Sequence, residues 1–288
     1  MTQLIWPDKL VEEIAYRRCI LFLGSGISAT AKDEEGNSPQ TWAQILASIQ
    51  KKASAKLKEE DASFISKMLS SKNYLMAVQA IQDSWGKSNL IHYLKSELIR
   101  KKFKASNVHR LIKELDSKIV ISTNFDKLYE SLCSDDSYYS ILDYTNAKEI
   151  IEDIKSPEYL IIKAHGTLTQ SEDIIFTAEQ YHKAQCDYPG FYQILRALFL
   201  THTVVFLGYS LQDPDIILVL QYINSYLNHA SPHYLVCRTG TPEPLKRHWY
   251  NSFNVSLIEY GASHEELEKS LEKLKSLVEK LRESRGIS

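Results

Sequence analysis

Cys19-Ile-Leu-Phe-Leu-Gly-Ser-Gly-Ile-Ser28 joins an apolar run to an abrupt glycine turn. Ile20 to Leu23 shows no polar alternation, as a strand buried on both faces of a parallel sheet requires. The run stops at Gly24-Ser25-Gly26, followed by Ile27-Ser28-Ala29, so the spacing is G-x-G-x-x-A. Glycines there permit a tight turn and let a diphosphate approach the backbone without meeting a Cβ. They also leave N–H groups of the next turn to hold the anion. One such turn also occurs as an ordinary strand-to-helix connection, so its meaning depends on the rest of the chain.

On its N-terminal side, Pro7 to Arg18 has Leu10, Val11, Ile14 and Ala15 at helical spacing, with Asp8 placed to cap. On its C-terminal side, Ala31–Gln40 is polar with glycine and proline, a loop suited to closing over a ligand beyond the end of a strand. From Thr41 to Asp116 the periodicity is helical: Trp42–Lys52, Asp61–Leu69, Tyr74–Ser84, Leu90–Lys101 and Val108–Leu115 each read as helix. A plain dinucleotide-binding dehydrogenase would bring a second strand with an acidic residue about 20 residues on. None is there, which argues against an oxidoreductase and makes 41–116 a helical insertion.

Apolar runs resume at Lys118–Ser122, Tyr159–Ala164 and Thr203–Leu207, with two more strands at His233–Cys237 and Val255–Ile258. Helices are expected at Lys127–Leu132, Thr177–Ala184, Gly190–Leu200 and Asp215–Leu227, the last opened by Asp213 as N-cap and Pro214 at its first position. Ser134–Ser137 reads only as a polar stretch. In His264–Arg285, Leu267, Leu271, Leu274, Val278 and Leu281 are spaced 4, 3, 4 and 3 apart. That stripe suits packing on the sheet or a short coiled coil between copies. Strands alternating with helices imply an α/β, Rossmann-like parallel sheet with helices on both faces. The expected division of the single domain 1–288 is a core at 7–40 and 117–262, the insertion at 41–116 and a C-terminal helix at 263–286.

The totals narrow the function classes. Of 288 residues 44% are hydrophobic and 24% charged, and the net charge of -2 offers no footprint for nucleic acid. Cys19, Cys133, Cys186 and Cys237 form no C-x-x-C pair, which argues against a zinc ribbon and a disulfide framework and fits a reducing cytoplasm. No secretory signal or membrane-spanning run is expected.

Four apolar runs end in unusual polar groups: Gly24-Ser25-Gly26, Ser122-Thr123-Asn124-Phe125-Asp126, His165-Gly166 and Gly208-Tyr209-Ser210. Parallel strands direct all four to one edge of the sheet, where ligands of open α/β folds bind. In this order the motifs resemble the sirtuin superfamily. Gly24–Ser28 is similar to its first phosphate-binding motif, and Ser122–Asp126 to its T-Q-N-x-D motif. His165-Gly166 resembles the catalytic H-G, and Gly208–Leu211 the G-x-S motif. The resemblance spans residues 11 to 260. It lacks the four zinc cysteines and the P-D-F-R segment of deacylases. Pro39-Gln40-Thr41-Trp42 and the helical insert are closer to bacterial sirtuin-like proteins of antiphage defence.

The resemblance implies an NAD+ hydrolase that releases nicotinamide and ADP-ribose and depletes the cell of NAD+, with NAD+ as substrate and no metal. It further implies a homo-oligomer and a separate partner such as a HerA-like ATPase. Asn124 and His165 are the expected catalytic residues: the amide positions a water or ribose hydroxyl, and the imidazole accepts a proton. Gly24, Ser25, Gly26, Ser28, Thr123, Asp126, Gly208 and Ser210 are the expected NAD+-binding residues. Competing readings stay open: Asn124 or Asp126 as helix caps, Asp213 as a cap only, Trp42 and Tyr181 as packing. For the whole chain, the alternatives are a sirtuin-type deacylase or ADP-ribosyl transferase, and a non-catalytic scaffold binding NAD+ or ADP-ribose.

Overall fold

The computed structural model describes residues 4–40, 42–53, 57–99, 101–134, 137–168, 174–211, 213–226 and 231–287. Thr41, Arg100, Asp135, Asp136 and Leu227, which fall in expected motifs or elements, lie outside them, as does the side chain of Trp42. Seven parallel strands form one sheet: β1 (Cys19–Leu23), β2 (Ile119–Ser122), β3 (Tyr139–Asp143), β4 (Tyr159–Lys163), β5 (Thr203–Leu207), β6 (His233–Cys237) and β7 (Val255–Glu259), in the order β3-β4-β2-β1-β5-β6-β7. The fold is the expected α/β, Rossmann-like one. Strand order reverses between β1 and β5, which opens a crevice beyond their carboxyl ends.

The uninterrupted apolar run of β1 is explained by its two faces. Ile20 and Phe22 pack with α8 (Ala147–Lys155), α10 (Pro189–Thr201), α11 (Pro214–Tyr226) and α12 (Glu243–Phe253). Leu21 and Leu23 pack with α1 (Asp8–Ala15), α7 (Asn107–Glu114) and α13 (His264–Arg285). Leu267, Leu271, Leu274 and Val278 of α13 are buried in that layer. The stripe therefore packs within the chain and leaves no seam for a coiled coil. Arg282 of α13 ties the layer together by donating to the carbonyls of Ala15, Ile14, Leu115 and Asp116, the C-terminal ends of α1 and α7.

Between β1 and β2 lie α2 (Ser25–Ser28), α3 (Trp42–Ala53), α4 (Glu59–Ser70), α5 (Tyr74–Trp85) and α6 (Lys87–Leu98), besides α7. The helices α3–α6 share an apolar cluster with Phe125, Leu168, Ile174 and Phe176, residues of the loops that follow β2 and β4. They therefore sit above the strand ends. The helix α9 (Ala178–Asp187) contacts both α5 and α10.

Two sequence expectations fail. Lys127–Leu132 is not an α-helix; only the 3-10 turn Glu130–Leu132 forms. A helix from Lys127 would use the Asp126 carbonyl as its first acceptor, but that carbonyl accepts from Lys163 Nζ at 2.8 Å, and the Asp126 carboxylate accepts from Leu128 N at 3.0 Å. The sequence carries no strand signal over the edge strand β3. Its side chains are only partly covered, so it lacks the continuous apolar run that marked its neighbours. Helix α1 is also shorter than Pro7–Arg18, with Pro7 rather than Asp8 at its N-cap. No helix among the described residues is long and apolar enough to cross a membrane.

Candidate active site

The glycines of the opening turn are explained first by the chain itself. A Cβ on Gly24 would sit 2.5 Å from the Gly208 carbonyl oxygen, and one on Gly26 would lie 2.8 Å from the Gly208 Cα. Gly208 has φ +60°, and its own Cβ would meet Ile27 N at 2.4 Å. Gly26 N donates to Gly208 O (2.8 Å), and Ile27 N to Gly24 O (3.0 Å). The turns after β1 and β5 thus interlock at the point where strand order reverses. The Gly26 and Ile27 amides, expected to be available for an anion, are already committed. Ser25, Gly26 and Ser28 of this turn still border the space beyond the strand ends.

Beyond the strand ends lies a cavity of about 440 Å³. Ser25, Gly26, Ser28, Thr123, Asn124, Asp126, His165, Gly208 and Ser210 all line it, so the structure brings together nine of the ten residues expected from sequence. Gly24 is absent from the lining; its place is under the Gly208 turn. Helices α3 and α5 supply an apolar wall through Ile45, Leu46, Tyr74 and Val78, with Pro39 and Gln40 from the loop after α2.

Asn124 and Asp126 are held by one serine. Ser28 Oγ donates to Asp126 Oδ2 at 2.7 Å and accepts from Asn124 Nδ2 at 3.0 Å; the same amide donates to Gly24 O at 3.0 Å. A helix-cap role does not describe Asn124, since no α-helix follows it. Beneath them Lys163, nearly without solvent contact, pairs with Glu130 and bonds the Asp126 carbonyl. Nearby, His109 is buried in a capping box with Ser106, whose hydroxyl bonds Thr30, and burial lowers its pKa to about 4 against the pull of Asp126.

His165 follows β4, and its Nε2 lies 3.0 Å from Asp213 Oδ2. Tyr181 of α9 donates to the same carboxylate oxygen at 2.9 Å and stands edge-on to the imidazole, ring centroids 5.3 Å apart. Asp213 also caps α11, accepting from Asp215 N and Ile216 N. Burial pushes its pKa up, but the His165 charge, the bonds from His165 and Tyr181 and the Ile216 amide outweigh this and hold it below the usual carboxylate value. Burial and the neighbouring Asp213 carboxylate push Tyr181 far above the ordinary phenol value, so it acts as a donor.

Asp213 is thus a cap and the imidazole's partner. Sequence showed only the cap, because Asp-Pro before an apolar helix is fully accounted for locally and His165 lies 48 positions away. Arg238, after β6, is a second lining residue that sequence reasoning missed; its strand ends in no unusual motif. Among the described residues no group of three or more His, Cys, Asp or Glu could hold a metal ion.

Residues 118–258 match the SIR2-like domain family. The chain is similar to Defense-associated sirtuin 2 of Bacillus subtilis, 27% identical over 143 residues, 48% of this chain and 14% of that protein. It is also similar to NAD(+) hydrolase ThsA of Acinetobacter baumannii, 22% identical over 237 residues, 82% of this chain and 45% of that protein. The ThsA of Bacillus cereus is 21% identical over 235 residues, 81% of this chain and 46% of that protein. The chain spans less than half the length of each of these curated relatives. The seven-stranded α/β fold is thus consistent with a SIR2-like domain over residues 118–258, in a chain distantly similar to named NAD+ hydrolases and to a defence sirtuin.

Proposed function

We propose that this chain hydrolyses the nicotinamide–ribose bond of NAD+, giving nicotinamide and ADP-ribose, as the NAD+-depleting component of an antiphage defence system. The observation that carries this reading is that Asn124, Asp126 and the His165–Asp213 pair all line the one strand-end cavity. The similarity to proteins named NAD(+) hydrolase supports it.

The nicotinamide leaves as a neutral molecule once the C1′–N bond breaks and its electron pair returns to the ring, so no general acid is needed. The transition state resembles an oxocarbenium ion. Asp126 and Asp213 are the carboxylates on the wall, among the described residues, and their charge favours positive charge developing there. Asn124 positions the water or a ribose hydroxyl. With Nε2–H donated to Asp213, the Nδ1 of His165, which has no partner among the described residues, accepts the proton released as water oxygen bonds C1′. Asp213 fixes that tautomer and stabilises the imidazolium.

By resemblance, a separate HerA-like ATPase controls the enzyme and the chain self-associates, through a surface other than the buried stripe of α13. The test follows nicotinamide and ADP-ribose by chromatography from purified protein with NAD+, alone and with such an ATPase, beside Asn124→Ala. Turnover lost in the variant supports the hydrolase; NAD+ binding with no turnover under either condition replaces it with a non-catalytic binding subunit. Mass photometry reads the oligomeric state directly.

A further inference from the structure

Charge on the cavity wall is divided. Asp126 stands with Asn124 through Ser28 and Asp213 with His165, while Arg238 is the one lysine or arginine lining the cavity among the described residues. In the strand order β4-β2-β1-β5-β6, the strands that lead into His165 and Arg238 are four spacings apart, roughly 19 Å between β4 and β6 at the usual separation. Arg238 is also unneutralised: no described carboxylate pairs with it, and its Nη2 donates to His264 Nε2 at 3.0 Å. An imidazole that accepts from a guanidinium is itself uncharged. Burial and the charges of Arg238 and Lys32 all push the His264 pKa down, which keeps it so. His264 therefore orients Arg238 without cancelling its charge. Of the carboxylates that follow it, Glu243 pairs with Lys246, and Glu259, at the end of β7, is spent on Gly240 N, Thr241 N and Lys246 Nζ.

We propose that Arg238 is a phosphate-binding residue of this site, gripping a phosphate of a dinucleotide whose reactive end lies at Asn124 and His165. The inference rests on the dinucleotide reading above and extends it to recognition of the far end. An unpaired guanidinium has the planar donor fork that phosphate oxygens accept, and the committed amides of Gly26 and Ile27 leave the backbone turn unable to neutralise the anion by itself. The phosphate has two possible sources. One is the diphosphate common to NAD+ and NADP+; the other is the 2′-phosphate carried only by NADP+, which an arginine takes in other dinucleotide-binding sheets.

Titration calorimetry of the full chain with ADP, adenosine 2′,5′-bisphosphate and adenosine separates these, using wild type, Arg238→Ala and Arg238→Lys. Arg238→Ala should weaken binding of the nucleotide bearing the engaged phosphate by about ten- to a hundredfold, and leave adenosine unchanged. Loss on ADP assigns the diphosphate; loss on the 2′,5′-bisphosphate alone assigns the 2′-phosphate and a preference for NADP+. Equal affinities of wild type and Arg238→Ala for both nucleotides, or no binding of either to wild type, overturn the proposal. The two readings fail separately. NAD+ turnover with unchanged kcat/KM for NAD+ and NADP+ in Arg238→Ala would remove the role of Arg238 and keep the hydrolase. Arg238-dependent nucleotide binding without turnover would do the reverse.

Discussion

The Nε2 of His165, at the end of β4, lies 3.0 Å from Oδ2 of Asp213, at the first turn of α11. The contact joins the two halves of the sheet across the point where strand order reverses, and it holds the imidazole in the lining of the cavity. Asp213→Asn keeps the shape and the cap but loses the charge. NAD+ turnover should fall about 10²- to 10⁴-fold, with KM changing much less. Steady-state kinetics checks this, and an unchanged kcat would remove Asp213 from the mechanism.

Ser28 ties the two other polar groups of that wall, taking a hydrogen bond from Asn124 and giving one to Asp126. Ser28→Ala should lower turnover by about tenfold or more while changing stability by only about 1 kcal/mol. Activity and urea denaturation measured on the same preparation distinguish loss of positioning from loss of folding.

Lys163 and Glu130 form an ion pair that is almost wholly buried. Lys163→Met leaves Glu130 charged without a partner and removes the donor to the Asp126 carbonyl, so it should destabilise by about 3–5 kcal/mol. Lys163→Met combined with Glu130→Leu should recover much of the loss, because no charge is then stranded. A double-mutant cycle in urea reads the coupling.

Gly208→Ala meets both a positive φ and the backbone of Ile27 and Gly26, whereas a Cβ on Gly36, also at positive φ, meets nothing within 4 Å. Gly36→Ala should cost about 1–2 kcal/mol from its backbone conformation alone. Gly208→Ala should cost more than about 3 kcal/mol, because neither turn can move without breaking the lock between β1 and β5. Comparable losses in the two variants would argue against that lock.

Two buried histidines set the pH response. Burial holds both His109 and His233 at a pKa of about 4, and His233 Nδ1 accepts the Val204 amide. Below about 6.5 the unfolded chain binds protons that the folded chain refuses, so stability is full near pH 7 and falls as pH drops toward 4. By pH 5 each contributes roughly 2 kcal/mol of lost stability. Asp213 adds to the loss only at lower pH: its depressed carboxyl supports folding above the ordinary carboxylate value, and that support disappears as pH falls through its folded value. Urea midpoints at pH 7, 6 and 5 test the histidine part, and a flat profile would contradict it.

By itself, the amino-acid sequence determined the sheet and the address of the site. Ile20–Leu23, Lys118–Ser122, Tyr159–Ala164 and Thr203–Leu207 are continuous apolar runs because parallel strands covered on both faces leave no side chain in water. Parallel strands then carry their terminal residues to one edge, which is why Asn124, His165 and Ser210 could be grouped before any coordinates. The edge strand β3 escaped because half-covered residues carry no such run, and the turn at Lys127–Leu132 because its missing acceptor is taken by Lys163, a residue 36 to 31 positions further on.

Only the tertiary structure decided which groups act together. Asp213 reads locally as a helix cap and becomes the partner of His165 where the first turn of α11 meets Tyr181 and Gln185 of α9. The opening glycines read as room for a diphosphate, yet their closest neighbour is Gly208. Arg238 has no signature in its own strand and gains meaning as the one lysine or arginine, among the described residues, in the lining of a cavity that also holds Asp126 and Asp213. Local propensity and periodicity report on neighbours a few residues away; pairings across 48 or 182 residues are set by how the layers pack, and that is where the chemistry of this site was decided.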